Sequence, residues 1–154
     1  MNRPITGFHT DPEGHWVAEL SCGHAQHVRH EPPFVLRAWV LDAEGRRSRL
    51  GSPLDCVRCD RREIPSGYAP HRRTDAFTRE SVPAGLLRRH TTKRGVWARI
   101  HVSRGRLEYH VHAPFDTRDV LEPGSPGVVL PEVEHHVVPV GDVEFFVEFW
   151  RPAP

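Results

Sequence analysis

A chain of 154 residues has room for one ordinary domain or two small ones, and a small domain buries a core thin enough to need a staple such as a metal. The formal net charge of +1 gives no overall electrostatic attraction to nucleic acid or to an anionic membrane. The opening stretch MNRPITGFHTDPEG lacks the apolar run of a signal peptide, and no segment approaches the roughly 18 apolar residues of a membrane-spanning helix, so the expected protein is soluble and cytoplasmic.

Trp16, Ala18 and Leu20 share one face of an alternating run, which predicts a half-buried strand. Cys22-Gly23-His24 reads as a turn, with a second strand through Val28. Phe34 to Leu41 is apolar enough for a third, set off by Pro32-Pro33 before it and Glu44-Gly45 after it. The stretch from Ile64 to Thr74, with two prolines, a glycine and no apolar periodicity, reads as a linker. The expected organisation is therefore a module over 1–63, a linker over 64–74 and a second domain over 75–154.

Beyond the linker, Val96, Ala98, Ile100 and Val102 oppose Trp97, Arg99 and His101. A turn at Ser103-Arg104-Gly105 is expected, followed by Leu107, Tyr109 and Val111 on one face and Glu108, His110 and His112 on the other. Pro123-Gly124 and Pro126-Gly127 lead into Val128 to Leu130, and Val143 to Trp150 closes the series. Phe145 and Phe146 cannot both face a core, because neighbouring strand residues point to opposite faces. Short strands between Gly/Pro turns predict a mainly β chain, a sandwich or barrel, and argue against a βαβ fold.

Two constellations carry chemistry. Cys56 and Cys59 form a C-x₂-C pair, and upstream Cys22 and His24 flank a glycine. Three thiolates and one imidazole make a common structural zinc set, closed to catalysis. His27 and His30 compete with His24 for the fourth position, and spacing does not choose among them. A redox role for the C-x₂-C is disfavoured because no βαβ pattern surrounds it. The arginines at 46, 47, 49, 58, 61 and 62 are interspersed with Asp42, Glu44, Asp55, Asp60 and Glu63, the pattern of a solvated mixed-charge surface rather than a nucleic-acid face.

Residues 3 to 62 resemble an uncharacterised bacterial domain family, through Ile5-Thr-Gly-Phe-His9, Gly14 to His24, Gln26 to His30, Pro32-Pro33, Trp39-Val40, Gly45-Arg46, and Leu54-Asp-Cys56 with Cys59. That likeness implies no activity. Residues 72 to 151 resemble the cupin domains first described with tellurite-resistance protein B, through Pro83-Ala84-Gly85, Arg89-His90 with Thr92-Lys93, Gly95 and Trp97, the hairpin from Val102 to Tyr109, and Pro131 ahead of His135. The second resemblance implies a small double-sheet jelly roll and a setting in stress or detoxification. It places His90 in the first histidine motif and His135 in the second, with His136 the rival for that position. His101, His110, His112 and Glu148 are the residues available to complete a barrel metal set, although Glu108, His110 and His112 also fit a solvated sheet face.

The expected function is a metal- or small-ligand-binding cupin protein with zinc in its first module and a divalent metal of unknown identity in its barrel. A small molecule or an anion, drawn by Arg88, Arg89 and Arg99, is the expected partner; nucleic acid and membrane are not, and a homodimer is allowed. Two other readings stand beside it. One is a metal-dependent oxygenase or isomerase acting on a small anion, and the other a regulatory or interaction protein that uses the zinc module.

Overall fold

Alternating apolar residues set the architecture in both halves of the chain, and the result is mainly β. The structure is a computed structural model describing residues 1–154, and it divides into two units, Met1–Arg61 and Arg62–Pro154.

The first unit is a four-stranded antiparallel sheet in the order β3-β2-β1-β4. Its strands are β1 (Asn2–Thr10), β2 (Trp16–Leu20), β3 (Ala25–His27) and β4 (Pro53–Asp55). Ile5, Val17, Leu20, Val28 and Val40 form its small apolar core. Two short helices complete it, α1 (Ala43–Ser48) and α2 (Val57–Asp60). Asp42 caps α1 by accepting from the Gly45 N–H at 2.7 Å, the usual role of an aspartate at that position. The Arg46 guanidinium lies 3.6 Å over the Trp16 ring.

The strand expected over Phe34–Leu41 does not form. A 3-10 turn occupies Ala38–Val40, and Phe34, Leu36 and Leu41 are 92%, 75% and 66% exposed. The Phe34 and Val35 N–H groups both bond back to the Glu31 carbonyl, so the backbone closes on itself and offers no ladder. An apolar run without a pairing partner stays out of the sheet.

In the second unit, β7 (Trp97–Val111) and β10 (His135–Pro152) pair antiparallel along most of their length. The sheet runs in the order β5-β10-β7-β8, with β5 over Tyr68–Arg73 and β8 over Thr117–Leu121. The short strands β6 (Phe77–Thr78) and β9 (Gly127–Val129) add to β10 and β7 respectively. Trp97, Leu107, Tyr109, Val143 and Phe145 are fully buried.

Two expectations about this half are corrected. The stretch read as a linker over 64–74 contains β5, whose residues pair with Glu148–Pro152; a peripheral strand with Pro70 in it shows no alternation to read, since prolines are tolerated on edges. The turn expected at Ser103-Arg104-Gly105 is a bend inside one continuous strand. Its register with β10 shifts between Val140 and Glu144, and bulges of this kind bend a strand without ending it. Gly105, at φ 78°, is required there: a Cβ would sit 2.1 Å from the Asp142 carbonyl oxygen. Both halves of β7 and of β10 thereby contribute to one curved inner face.

No helix is long and apolar enough to cross a membrane.

Candidate metal centre and histidine-lined cavity

The first site grows from two local structures. Leu20 N–H bonds to the His24 carbonyl and Gly23 N–H to the Leu20 carbonyl, a tight turn between β2 and β3 that Gly23 permits with φ 89°. Cys56 stands at the N-terminus of α2, and the single helical turn brings Cys59 round beside it, with the Cys59 N–H bonded to the Cys56 carbonyl. Strand β1 holds both in place, since it pairs with β2 on one side and β4 on the other.

Cys22, His24, Cys56 and Cys59 therefore converge, all buried, with their donor atoms within 4.8 Å of one another. The His24 Nδ1 is 3.4 Å from the sulfurs of Cys22 and Cys56 and 3.7 Å from that of Cys59, and the Cys22 and Cys56 sulfurs are 3.9 Å apart. Around a tetrahedral zinc with ordinary bond lengths, nitrogen–sulfur and sulfur–sulfur edges come to about 3.6 and about 3.8 Å. The four donors fit such an ion, and the cluster can hold a metal. The cysteines are free thiols, and 3.9 Å is far beyond a disulfide bond.

The electrostatics of the cluster suit a cation. Burial alone would lower the His24 pKa, but the neighbouring Cys22 and Cys56 sulfurs raise it to about 9. Hydrogen bonds from Cys22 and Cys59 push the Cys56 thiol down, while Cys59 is pushed up by its bonds to Cys22 and Cys56 and by burial. Packed sulfurs cannot all ionise without a positive partner. Arg3, only 3% exposed, hydrogen-bonds Cys59 and favours its thiolate. Nothing in the spacing of the sequence singled out Arg3.

Of the histidines competing with His24, His27 lies elsewhere. It is exposed, and its Nε2 is 2.9 Å from Asp11. His30 accepts the Arg37 N–H through Nδ1 at 3.0 Å. Neither reaches the sulfurs, because only His24 sits in the turn that carries Cys22.

The second site is a cavity of about 360 Å³ inside the curved sheet of the second unit, with Ile100, Val129, Val137, Phe145 and Val147 among its walls. His90 and His135 also line it. The two histidines exchange backbone hydrogen bonds, and their rings lie 4.2 Å apart at 58°. Each ring is oriented in the same way: His90 Nδ1 is 2.9 Å from the Arg88 carbonyl, and His135 Nδ1 is 2.9 Å from the Val133 carbonyl. A carbonyl only accepts, so Nδ1 carries a proton in both rings, and in the neutral form the lone pair is on Nε2. Burial pushes the His135 pKa down to about 4, so this ring is neutral at physiological pH.

The neighbouring residue goes the other way. His136 stacks on His110 and His112 at centroid distances of 4.5 and 5.0 Å, on the opposite face of the sheet from the cavity. The strand alternation thus separates His135 from His136, and His136 is no part of the cavity. His101 stacks on Phe146 at 5.0 Å, and Glu148 is 3.5 Å from His101; neither joins His90 and His135. Phe145 faces inward and Phe146 outward. None of Arg88, Arg89 and Arg99 lines the cavity: Arg99 lies over Trp150 at 4.6 Å, and Arg89 pairs with Glu134 at 3.8 Å.

Comparison with known proteins divides the chain in the same two parts. Residues 6–63 match the model of a family described as a protein of unknown function (DUF3565). Residues 72–147 match the TehB-like domain. The uncharacterized protein YeaR of Escherichia coli (strain K12) is 28% identical over 92 residues, which cover 54% of this chain and 77% of YeaR. A crystal structure of a protein from the same E. coli strain superposes with a TM-score of 0.55 at 29% identity, covering 60% of this chain and 98% of that one. TehB from Haemophilus influenzae superposes with a TM-score of 0.52 at 21% identity, over 56% of this chain and 32% of TehB; at that identity the likeness is one of fold.

Proposed function

We propose that this is a small-ligand-binding protein built from a structural zinc module and a cupin-type barrel. The observation that carries the binding function is the pair of imidazoles, His90 and His135, set in a largely apolar cavity with Nδ1 committed to backbone carbonyls. Two Nε2 acceptors among hydrocarbon walls suit a mostly apolar molecule with a hydrogen-bond donor at one end, because an unpaired acceptor there is costly and a matched one is specific. Of the two threonines in the lining, Thr92 gives its hydroxyl to the Val96 carbonyl at 2.7 Å, and Thr74 accepts the Val147 N–H at 3.0 Å. A small anion fits less well: it would lose its hydration with no cation in the wall to replace it.

The zinc would be held by Cys22, His24, Cys56 and Cys59 as a closed four-ligand staple. Three thiolates on a divalent ion leave one negative charge, and the buried Arg3 guanidinium offsets it. Placing the protein in a stress or detoxification response rests on the TehB likeness alone.

One observation favours a second reading of the cavity. Metal-bound histidines are commonly oriented by just such a hydrogen bond from the other ring nitrogen, so His90 and His135 would also serve as two ligands of a divalent ion with open positions. Titration of the full chain with 4-ethylphenol and with its methyl ether, followed by the methyl NMR signals of Ile100 and Val137, tests the first reading. The phenol should bind at least tenfold tighter, and His135→Ala should remove that preference. Equal binding of both probes, or no shift of these methyls, would reject it. A second metal in elemental analysis, lost with His135→Ala, would select the metal reading.

A further inference from the structure

The wall of the cavity in the second unit is buried almost all the way round, and the part that is not buried marks where a ligand enters. Ala98, Ile100, Val129, Phe145 and Val147 are buried, and His135 is only 4% exposed. Of the residues that line the cavity, only Pro83 and Gly85 are exposed. The mouth therefore lies at the turn these two share, in the segment between β6 and His90.

That turn is held in place. The Leu86 N–H bonds to the Pro83 carbonyl and the Leu87 N–H to the Ala84 carbonyl. The Leu86 carbonyl accepts the Val137 N–H at 3.0 Å, which ties the rim to β10. Gly85 needs no special backbone there, since its φ lies outside the left-handed region. Nor does a neighbour crowd it: a Cβ at this position would meet no heavy atom within 4 Å, the opposite of Gly105. Glycine costs conformational entropy on folding, and at Gly85 neither strain nor packing accounts for it. What the missing side chain does is leave the mouth open.

The volume of about 360 Å³ is that of a sphere about 9 Å across, roughly the length of 4-ethylphenol at ordinary bond lengths and radii. A longer molecule with its hydroxyl on the histidines has to send its far end out through the mouth, past Gly85. Leu87, two residues further along the segment and 41% exposed, offers apolar surface to such an end.

We propose that Gly85 determines which ligands the cavity admits, and that these are elongated molecules of the long-chain alkylphenol type. The hydroxyl head lies at His90 and His135, and the unbranched apolar tail leaves between Pro83 and Gly85. The inference rests on the reading of the cavity given above, and adds to it the direction of the ligand and the residue that limits its length.

Calorimetric titration of the full chain with 4-ethylphenol and with 4-heptylphenol tests it. The parent should bind 4-heptylphenol more tightly, because each methylene kept against apolar wall is worth about fourfold. Gly85→Leu, which fills the mouth, should weaken 4-heptylphenol at least tenfold and leave 4-ethylphenol within twofold. Gly85→Ala should unfold like the parent and show a smaller loss in the same direction, which guards against a folding defect in the leucine variant. In the parent itself, NOEs from the terminal methyl of bound 4-heptylphenol should reach Pro83 and Gly85; NOEs confined to Ile100 and Val147 would overturn the proposed direction. A Gly85→Leu protein that binds 4-heptylphenol as the parent does, yet still prefers 4-ethylphenol to its methyl ether, overturns the role of Gly85 and leaves the reading of the cavity standing. A parent without that preference overturns both.

Discussion

In the first unit the reactive side chains are part of the core: Cys22, His24, Cys56 and Cys59 are all buried, and the apolar residues buried with them are few and aliphatic. In the second unit the core is hydrocarbon and aromatic, with Trp97, Tyr109 and Phe145 fully buried, and the histidines lie at the edge of a cavity or on the outer face. A unit of about 60 residues buries too little apolar surface to be secure without help, whereas a long paired strand with large aromatic residues supplies its own. The same residue types therefore serve as a fastening in one place and as a recognition surface in the other.

That contrast breaks most visibly on removing a ligand from the cluster. Because a structural zinc site forms only with the fold, its binding free energy of about 10–16 kcal/mol is largely folding free energy. Cys59→Ser, or chelation of the parent, should unfold the first unit and leave the second folded. Limited proteolysis with mass mapping reads both at once: residues 1–61 should be digested while the β7–β10 core survives. If chelation leaves residues 1–61 as resistant as before, the metal does not hold this unit.

The converse change acts on the second unit. Phe145 is fully buried and packs edge-on to Phe77 at 5.7 Å. Phe145→Ala removes that packing and enlarges the cavity, which should cost about 3–5 kcal/mol. Thermal unfolding should show the second unit's transition moving down while the metal content of the first unit stays at the parent value. A loss of zinc with this variant would mean that the two units are not independently held.

Much of this contrast is legible in the chain itself, and the reasons for the gaps are physical. The C-x₂-C pair and the Cys-Gly-His turn announce the cluster because their spacing is local; choosing His24 over His27 needs the hairpin, since only the turn carries Cys22 and its partner together. Arg3 is unreadable because its relation to Cys59 crosses most of the first unit. Alternation separates His135 from His136 correctly. It fails at Gly105, where a glycine in a bulge looks like a glycine in a turn, and at Tyr68–Arg73, where a strand at the end of the sheet order has no single buried face to alternate. The pairing of His136 with His112 is likewise invisible until the strand register is known.

Acid should separate the two units by mechanism as well. His135 has a folded pKa of about 4 against an ordinary value of 6.5, so between those values the unfolded chain binds the extra proton. The neutral ring's contribution is fully present above about pH 6.5 and is lost as pH falls toward 4, amounting to at most about 3 kcal/mol. Unfolding of the second unit by urea, measured from pH 7 to pH 4, should show this slope, and His135→Gln should flatten it. A parent and variant with parallel pH profiles would show that His135 titrates in the fold as it does in the unfolded chain.

The smallest effect expected is also the finest test of register. His136 is half-buried and shares its nitrogen with His112 across 2.8 Å, but it supports nothing in the cavity. His136→Ala should therefore change the second unit's stability by no more than about 1 kcal/mol, the scale of one partly exposed hydrogen bond. It should also leave the 4-ethylphenol titration unchanged. His135→Ala, one residue earlier, should abolish the preference for the phenol over its ether. Adjacent residues on a strand differ by a full reversal of direction, so the two variants sample opposite faces of one sheet. If His136→Ala also impairs phenol binding, the ligand does not reside in the cavity and the role given to His90 and His135 fails with it.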